Sequence, residues 1–115
     1  MQQQPRPEKS KRVVVKVKDY VISVKPDVVK MGKDPYQGIV WEIVTDGWTF
    51  PTFEDGVEVK GDHGEFSNGR LDETGTIYTL HNKNSHTHYY PYTIKVTDGK
   101  VTLQLDPGIG NGGNN

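Results

Sequence analysis

Hydrophobic and polar positions alternate along much of this chain, and strict alternation marks half-buried β-strands. From Arg12 to Lys18, Val13, Val15 and Val17 share one side, with Lys16 and Lys18 on the other. Asp19 breaks or bulges the strand before a second run over 20–25. Pro26 and Asp27 mark a bend, Val28, Val29 and Lys30 form a short extended piece closed by Gly32, and 33–36 reads as a loop. The best central strand is 39–44, where Ile39, Trp41 and Ile43 point one way and Val40, Glu42 and Val44 the other. A bulky apolar row of this kind suits the inner face of a sandwich, and burial of Trp41 alone is worth about 2–3 kcal/mol.

From 45 to 74 the pattern degrades. Gly47, Gly56, Gly61, Gly64 and Gly69 punctuate it, and Trp48, Phe50, Phe53 and Phe66 are scattered among acidic residues. Short edge pieces are expected over 57–60 and around Phe66, within a long variable connection of the kind that carries function or motion. The rhythm returns over 76–81 and again at Tyr92, Ile94 and Val96. Asp98-Gly99 suggests a two-residue hairpin turn of the primed type, after which Val101, Leu103 and Leu105 alternate up to Asp106-Pro107. About seven one-faced strands with short turns predict an all-β fold, a Greek-key β-sandwich over 12–107. Residues 1–11 read as a disordered tail, and the Gly/Asn-rich 108–115 as a flexible one.

Composition supports the strands and narrows the chemistry. The chain has no alanine and few leucines, so strong helix formers are scarce. It has no cysteine, hence no disulfide framework, thiolate zinc site or cysteine nucleophile. Fourteen basic residues against fifteen acidic ones leave no strong overall field toward nucleic acid or acidic membranes. No apolar run resembles a secretory signal or a membrane span, so a cytoplasmic protein is expected.

Three of four histidines fall in one loop. His86 and His88, two apart, share a face if the chain is extended there, and His81 ends the preceding strand. Such a set could present imidazoles to Zn or Cu, although Lys83 opposes a cation and His-x-His is a common pattern. His63 sits between glycines and carboxylates in 61–65, without a nucleophile or oxyanion motif. Aromatics offer a second surface: Trp48, Tyr89 and Tyr90 could contact a partner, while Phe50, Phe53 and Tyr92 are expected to seal the sandwich.

The order of these features resembles the cupredoxins, the Greek-key sandwich family of blue copper proteins. Tyr20-Val-Ile-Ser-Val-Lys-Pro-Asp-Val-Val-Lys-Met-Gly32 is similar to that family's early strand, Pro turn and following strand. Ile39-Val-Trp-Glu-Ile43 resembles its aromatic-bearing strand, Thr74-Gly-Thr-Ile-Tyr-Thr-Leu80 the strand leading to the copper loop, and Tyr92-Thr-Ile-Lys-Val96 the closing strand. The departures fall on the metal site. Where the family has its first histidine this chain has Thr45, Asp46 and Gly47, and His81 stands roughly where the family has cysteine. His86 lies near the second histidine position, but no methionine follows it in the loop. A type 1 copper centre needs a thiolate and cannot be assembled.

The resemblance therefore implies a metal-free, cupredoxin-like module, with an Ig-like sandwich as the alternative architecture. The expected function is non-catalytic binding of a protein or small-molecule partner at Trp48, Tyr89, Tyr90 and His63. The alternative is a copper- or zinc-binding module using His81, His86 and His88. Exposed edge strands leave room for a homo-oligomer.

Overall fold

A computed structural model describes residues 10–33, 35, 37–61 and 64–113. Ten strands and one helical turn run in the order β1 (Ser10–Lys18), β2 (Val21–Lys25), β3 (Val28–Gly32), β4 (Gln37–Ile43), α1 (Phe53–Gly56), β5 (Val57–Val59), β6 (Phe66–Leu71), β7 (Ile77–Asn82), β8 (Thr87–Thr97), β9 (Thr102–Leu105) and β10 (Gly108–Gly112). They form two sheets packed as a sandwich. One sheet is ordered β2-β1-β4-β7-β6 and the other β3-β10-β8-β5, with β9 also paired to β8. Both are mixed, because β1 lies parallel to β4 and β10 parallel to β3. Among the described residues no helix is long and apolar enough to cross a membrane.

The alternation seen in sequence becomes the core. Val13 and Val15 of β1 pair with Trp41 and Ile43 of β4, and Ile39 pairs with Leu80 of β7. Across the sandwich, Val29, Met31, Tyr92, Ile94, Val96 and Ile109 meet them, all nearly inaccessible. Trp41 is the centre. Its ring meets Tyr92 and Tyr78 edge-on at 5.3 and 6.1 Å, and its indole N–H donates to the Tyr92 hydroxyl at 2.9 Å. That bond lets a fully buried indole keep its donor satisfied. Burial pushes the Tyr92 phenol up to about 12, so it stays neutral in the core.

Turn chemistry departs from the expectation twice, and in opposite directions. Asp98-Gly99 is part of a four-residue loop, since Thr97 pairs with Thr102 and the Asp98 carboxylate accepts from the N–H groups of Lys100 and Val101. The two-residue hairpin lies instead at Asp19-Tyr20, where Lys18 pairs with Val21 and both turn residues have positive φ, 53° and 62°. That left-handed pair is the geometry strand twist favours, here without the glycine that usually supplies it.

Two expected tails also change. Ser10 and Lys11 belong to β1, paired with Gly38 and Ile39, while 1–9 lie outside the described residues. Residues 108–112 are not a flexible tail but an interior strand of the second sheet, between β3 and β8. Its sequence Gly-Ile-Gly-Asn-Gly has a period of two. Ile109 and Asn111 face inward and are buried, and the glycines take the outer side. A Cβ on Gly112 would stand 2.2 Å from the Gly32 carbonyl oxygen, and one on Gly108 would strike the Tyr89 hydroxyl. Gly112 is required by the close approach of another backbone, not by flexibility, whereas Gly110 has room for a side chain.

In the 45–74 connection, β5 and β6 take up the expected edge pieces, and α1 closes the edge between them. The Thr52 hydroxyl accepts the Asp55 N–H at 3.0 Å as the helix cap. Phe53 stacks flat on Tyr78 at 5.5 Å, and the Tyr78 hydroxyl donates to the Phe53 carbonyl at 3.0 Å. Phe50 is buried as expected, but Phe53 seals only with one face and stays 42% exposed.

Candidate functional site

The loop between β7 and β8, rich in histidine and asparagine, enters one end of the sandwich. Asn82 pairs in register with Gln37 and faces inward. Its amide exchanges two hydrogen bonds with that of Asn111 across the sheets, at 2.7 and 3.0 Å. Asn84, held at φ 53°, donates to the Gly32 carbonyl and accepts from the Gly113 N–H, so one side chain fastens the ends of β3 and β10. Gln37 donates to the Met31 carbonyl. Glu65 clasps Ser85, accepting its N–H at 2.6 Å and its hydroxyl at 2.7 and 2.8 Å. Burial opposes the charge on Glu65, but the hydrogen bonds from Ser85 and the nearby His86 together hold its carboxyl below the ordinary value of 4.5. Among the described residues no buried side-chain nitrogen or oxygen lacks a partner. Fully satisfied networks of this kind rigidify and specify a core. This end is a clasp.

His81, His86 and His88 sit around the clasp. His81 lies on the outer face of β7, between Gly38 and Ser67. His86 is exposed in the loop, and His88 is exposed on β8 with its ring 4.5 Å from Tyr90. Among the described residues no group of three His, Asp or Glu is placed to hold a metal ion. His63 lies outside the described residues.

The expected aromatic surface is also divided. Tyr90 is buried, 5% exposed, with its ring edge-on to Phe66 at 5.1 Å, so it belongs to the core rather than to a surface. The alternation of β8 explains this, because Tyr90 shares the inward side with Tyr92, Ile94 and Val96. Tyr89 takes the outer side, 54% exposed, over Gly108. Trp48 is far from it. Its neighbour Thr49 bridges Thr97 at the other end of β8, about 26 Å of strand from Tyr89.

Trp48 has a companion that the sequence did not indicate. Tyr20, at the tip of the β1–β2 hairpin, meets its ring edge-on at 5.9 Å. Tyr20 is 64% exposed and the adjacent Val21 66%. A bulky residue in the left-handed region costs about 1–2 kcal/mol relative to one that tolerates it. The ring gains only partial burial on Trp48 in return. The aromatic end is therefore a strained, exposed tyrosine against a partly buried tryptophan, opposite the clasp. Signals for it were present in Asp19-Tyr20, but a left-handed tyrosine is not what a turn motif leads one to expect.

No protein-family model and no curated protein matches the chain.

Proposed function

We propose that this protein is a non-catalytic binding module of the cytoplasm, a Greek-key, cupredoxin-like sandwich working without a metal or other cofactor. Its site is the aromatic end, where Tyr20, Val21 and Trp48 engage a protein partner or a small-molecule ligand. The observation that carries this reading is Tyr20: an exposed aromatic ring held at a position whose backbone favours glycine or asparagine. Strain that the fold does not use for its own packing is a pointer to function. Tyrosine and tryptophan supply large contact area at low conformational cost, and they are enriched where binding energy concentrates.

The test separates binding from folding. Peptide-display and glycan libraries are selected on the wild-type chain, and the ligands obtained are measured on Tyr20→Gly and Trp48→Ala. Binding should fall at least about tenfold in both, the loss typical of one interface anchor. Tyr20→Gly should meanwhile melt close to wild type. Selected ligands that bind both variants unchanged would remove the aromatic end from consideration.

A further inference from the structure

The balanced net charge of the chain conceals a strong separation in space. Residues 10–33 hold seven lysines and arginines against two aspartates, whereas the other described residues hold five against ten. Residues 10–33 are β1, β2 and β3, and the topology puts all three on one side of the sandwich: β2 and β1 end the first sheet, and β3 ends the second. The opposite side is formed by β6 and β5 with α1 between them. It carries Glu54 and Asp55 on α1, Glu58 on β5, and Asp72 and Glu73 in the β6–β7 turn, against Lys60 and Arg70. The molecule has a basic edge and an acidic edge.

The basic edge is also open along part of its length. β2 pairs with β1 only from Val14 to Lys18, because the chain then crosses at Pro26 to become β3 of the other sheet. Beside 10–13 of β1 this leaves an open cleft of about 600 Å³, lined by Lys11, Arg12 and residues 26–30. Arg12 is tied to Glu42 on the outer face, with its Nε at 3.0 Å. Lys11, Lys30 and the neighbouring Lys25 are left to set the charge of the cleft, with Asp27 as the one carboxylate in its lining among the described residues.

We propose that copies of this chain associate head to tail, the basic β1–β3 edge of one copy against the acidic α1–β6 edge of the next. Lys11, Lys25 and Lys30 would receive the carboxylates of Glu54, Asp55 and Glu58. Charge complementarity selects this arrangement over a two-fold dimer, which would place like edges against each other. Contacts between unlike edges leave one of each free, so assembly continues into open chains or closes as a ring. The β6 edge is broken by a bulge between Ser67 and Arg70 and is poorly shaped for continuous strand pairing, so the contact is chiefly electrostatic. It is independent of the aromatic end, which lies at the far tip of the β1–β2 hairpin from the cleft.

Sedimentation of the full chain tests the proposal, using a concentration series at about 20 and about 500 mM salt, where screening lengths differ severalfold. Wild type should grow in mass with concentration beyond a dimer at low salt and return to monomer at high salt. Lys11→Gln/Lys25→Gln/Lys30→Gln removes the contact charges of one edge and Glu54→Gln/Asp55→Asn/Glu58→Gln those of the other, and each should be monomeric alone while melting normally. Mixed in equal amounts they should form a one-to-one dimer and nothing larger, because one intact edge of each kind remains. Tyr20→Gly should assemble like wild type, so loss of ligand binding and loss of assembly are distinguishable. A wild type that stays monomeric at low salt overturns the proposal, whether or not its basic edge then takes up a DNA oligonucleotide. Neutralised variants that assemble unchanged, or a mixture that does not associate, overturn it as well.

Discussion

The two ends of the sandwich are built on opposite terms. At the clasp, Gln37, Glu65, Asn82, Asn84 and Asn111 are buried polar residues with their hydrogen bonds made inside the fold. At the aromatic end, Tyr20 and Val21 are apolar residues left in water, one of them in a strained backbone conformation. The end richest in polar, ligand-like side chains thus serves the structure. The end with little polar chemistry holds groups that the fold alone does not account for. Functional residues are better sought where local rules are broken without a compensating gain than where polar residues merely accumulate.

The largest effect of substitution belongs to the middle, which both ends share. Trp41→Ala should cost about 3–5 kcal/mol, a large part of the stability of a domain this size, because it opens a cavity and strips the Tyr92 hydroxyl of its indole donor. A melt within a few degrees of wild type would contradict the central placement of Trp41.

Next comes the clasp. Asn82→Ala and Asn111→Ala should each cost about 1–3 kcal/mol, since either leaves the facing buried amide without its partner. The double variant should cost less than the sum of the two, because both report the same pair of cross-sheet bonds. Additive losses in chemical denaturation would mean that the two amides act separately.

Glu65 gives the clasp a pH signature. Its folded carboxyl is held below 4.5, so its stabilisation is complete above that value and drains away as pH falls through the lower, folded one. Glu65→Gln should therefore cost about 1–2 kcal/mol at neutral pH, and the gap to wild type should narrow as pH falls below 4.5. A gap that keeps its size as pH falls would show that the charge of Glu65 contributes nothing.

The smallest change is expected at the aromatic end. In Tyr20→Asn, relief of the left-handed strain offsets the removal of the ring packed edge-on against Trp48, and stability should stay within about 1 kcal/mol of wild type. A loss comparable to that of Asn82→Ala would make Tyr20 a structural residue and erase the contrast between the ends.

Period-two alternation was enough to place Val13, Val15, Ile39, Trp41 and Ile43 in one core, because a strand buries every second residue whatever its neighbours are. The abundance of valine, threonine and tyrosine, with no alanine, likewise determined that the fold is all-β, and the absence of cysteine excluded thiolate chemistry. Pairing decided the rest. Gly-Ile-Gly-Asn-Gly reads as a tail until β3, β8 and the Tyr89 ring close around it, since nothing local distinguishes a glycine that is free from one that is crowded. His81 and His88 are close in sequence, yet they stand on β7 and β8, which belong to different sheets. Tyr20 and Trp48 are distant in sequence, and the hairpin tip meets the connection after β4 only in the folded chain. The separation of charge was already present along the sequence, but only the placement of β1, β2 and β3 together on one side makes it an edge.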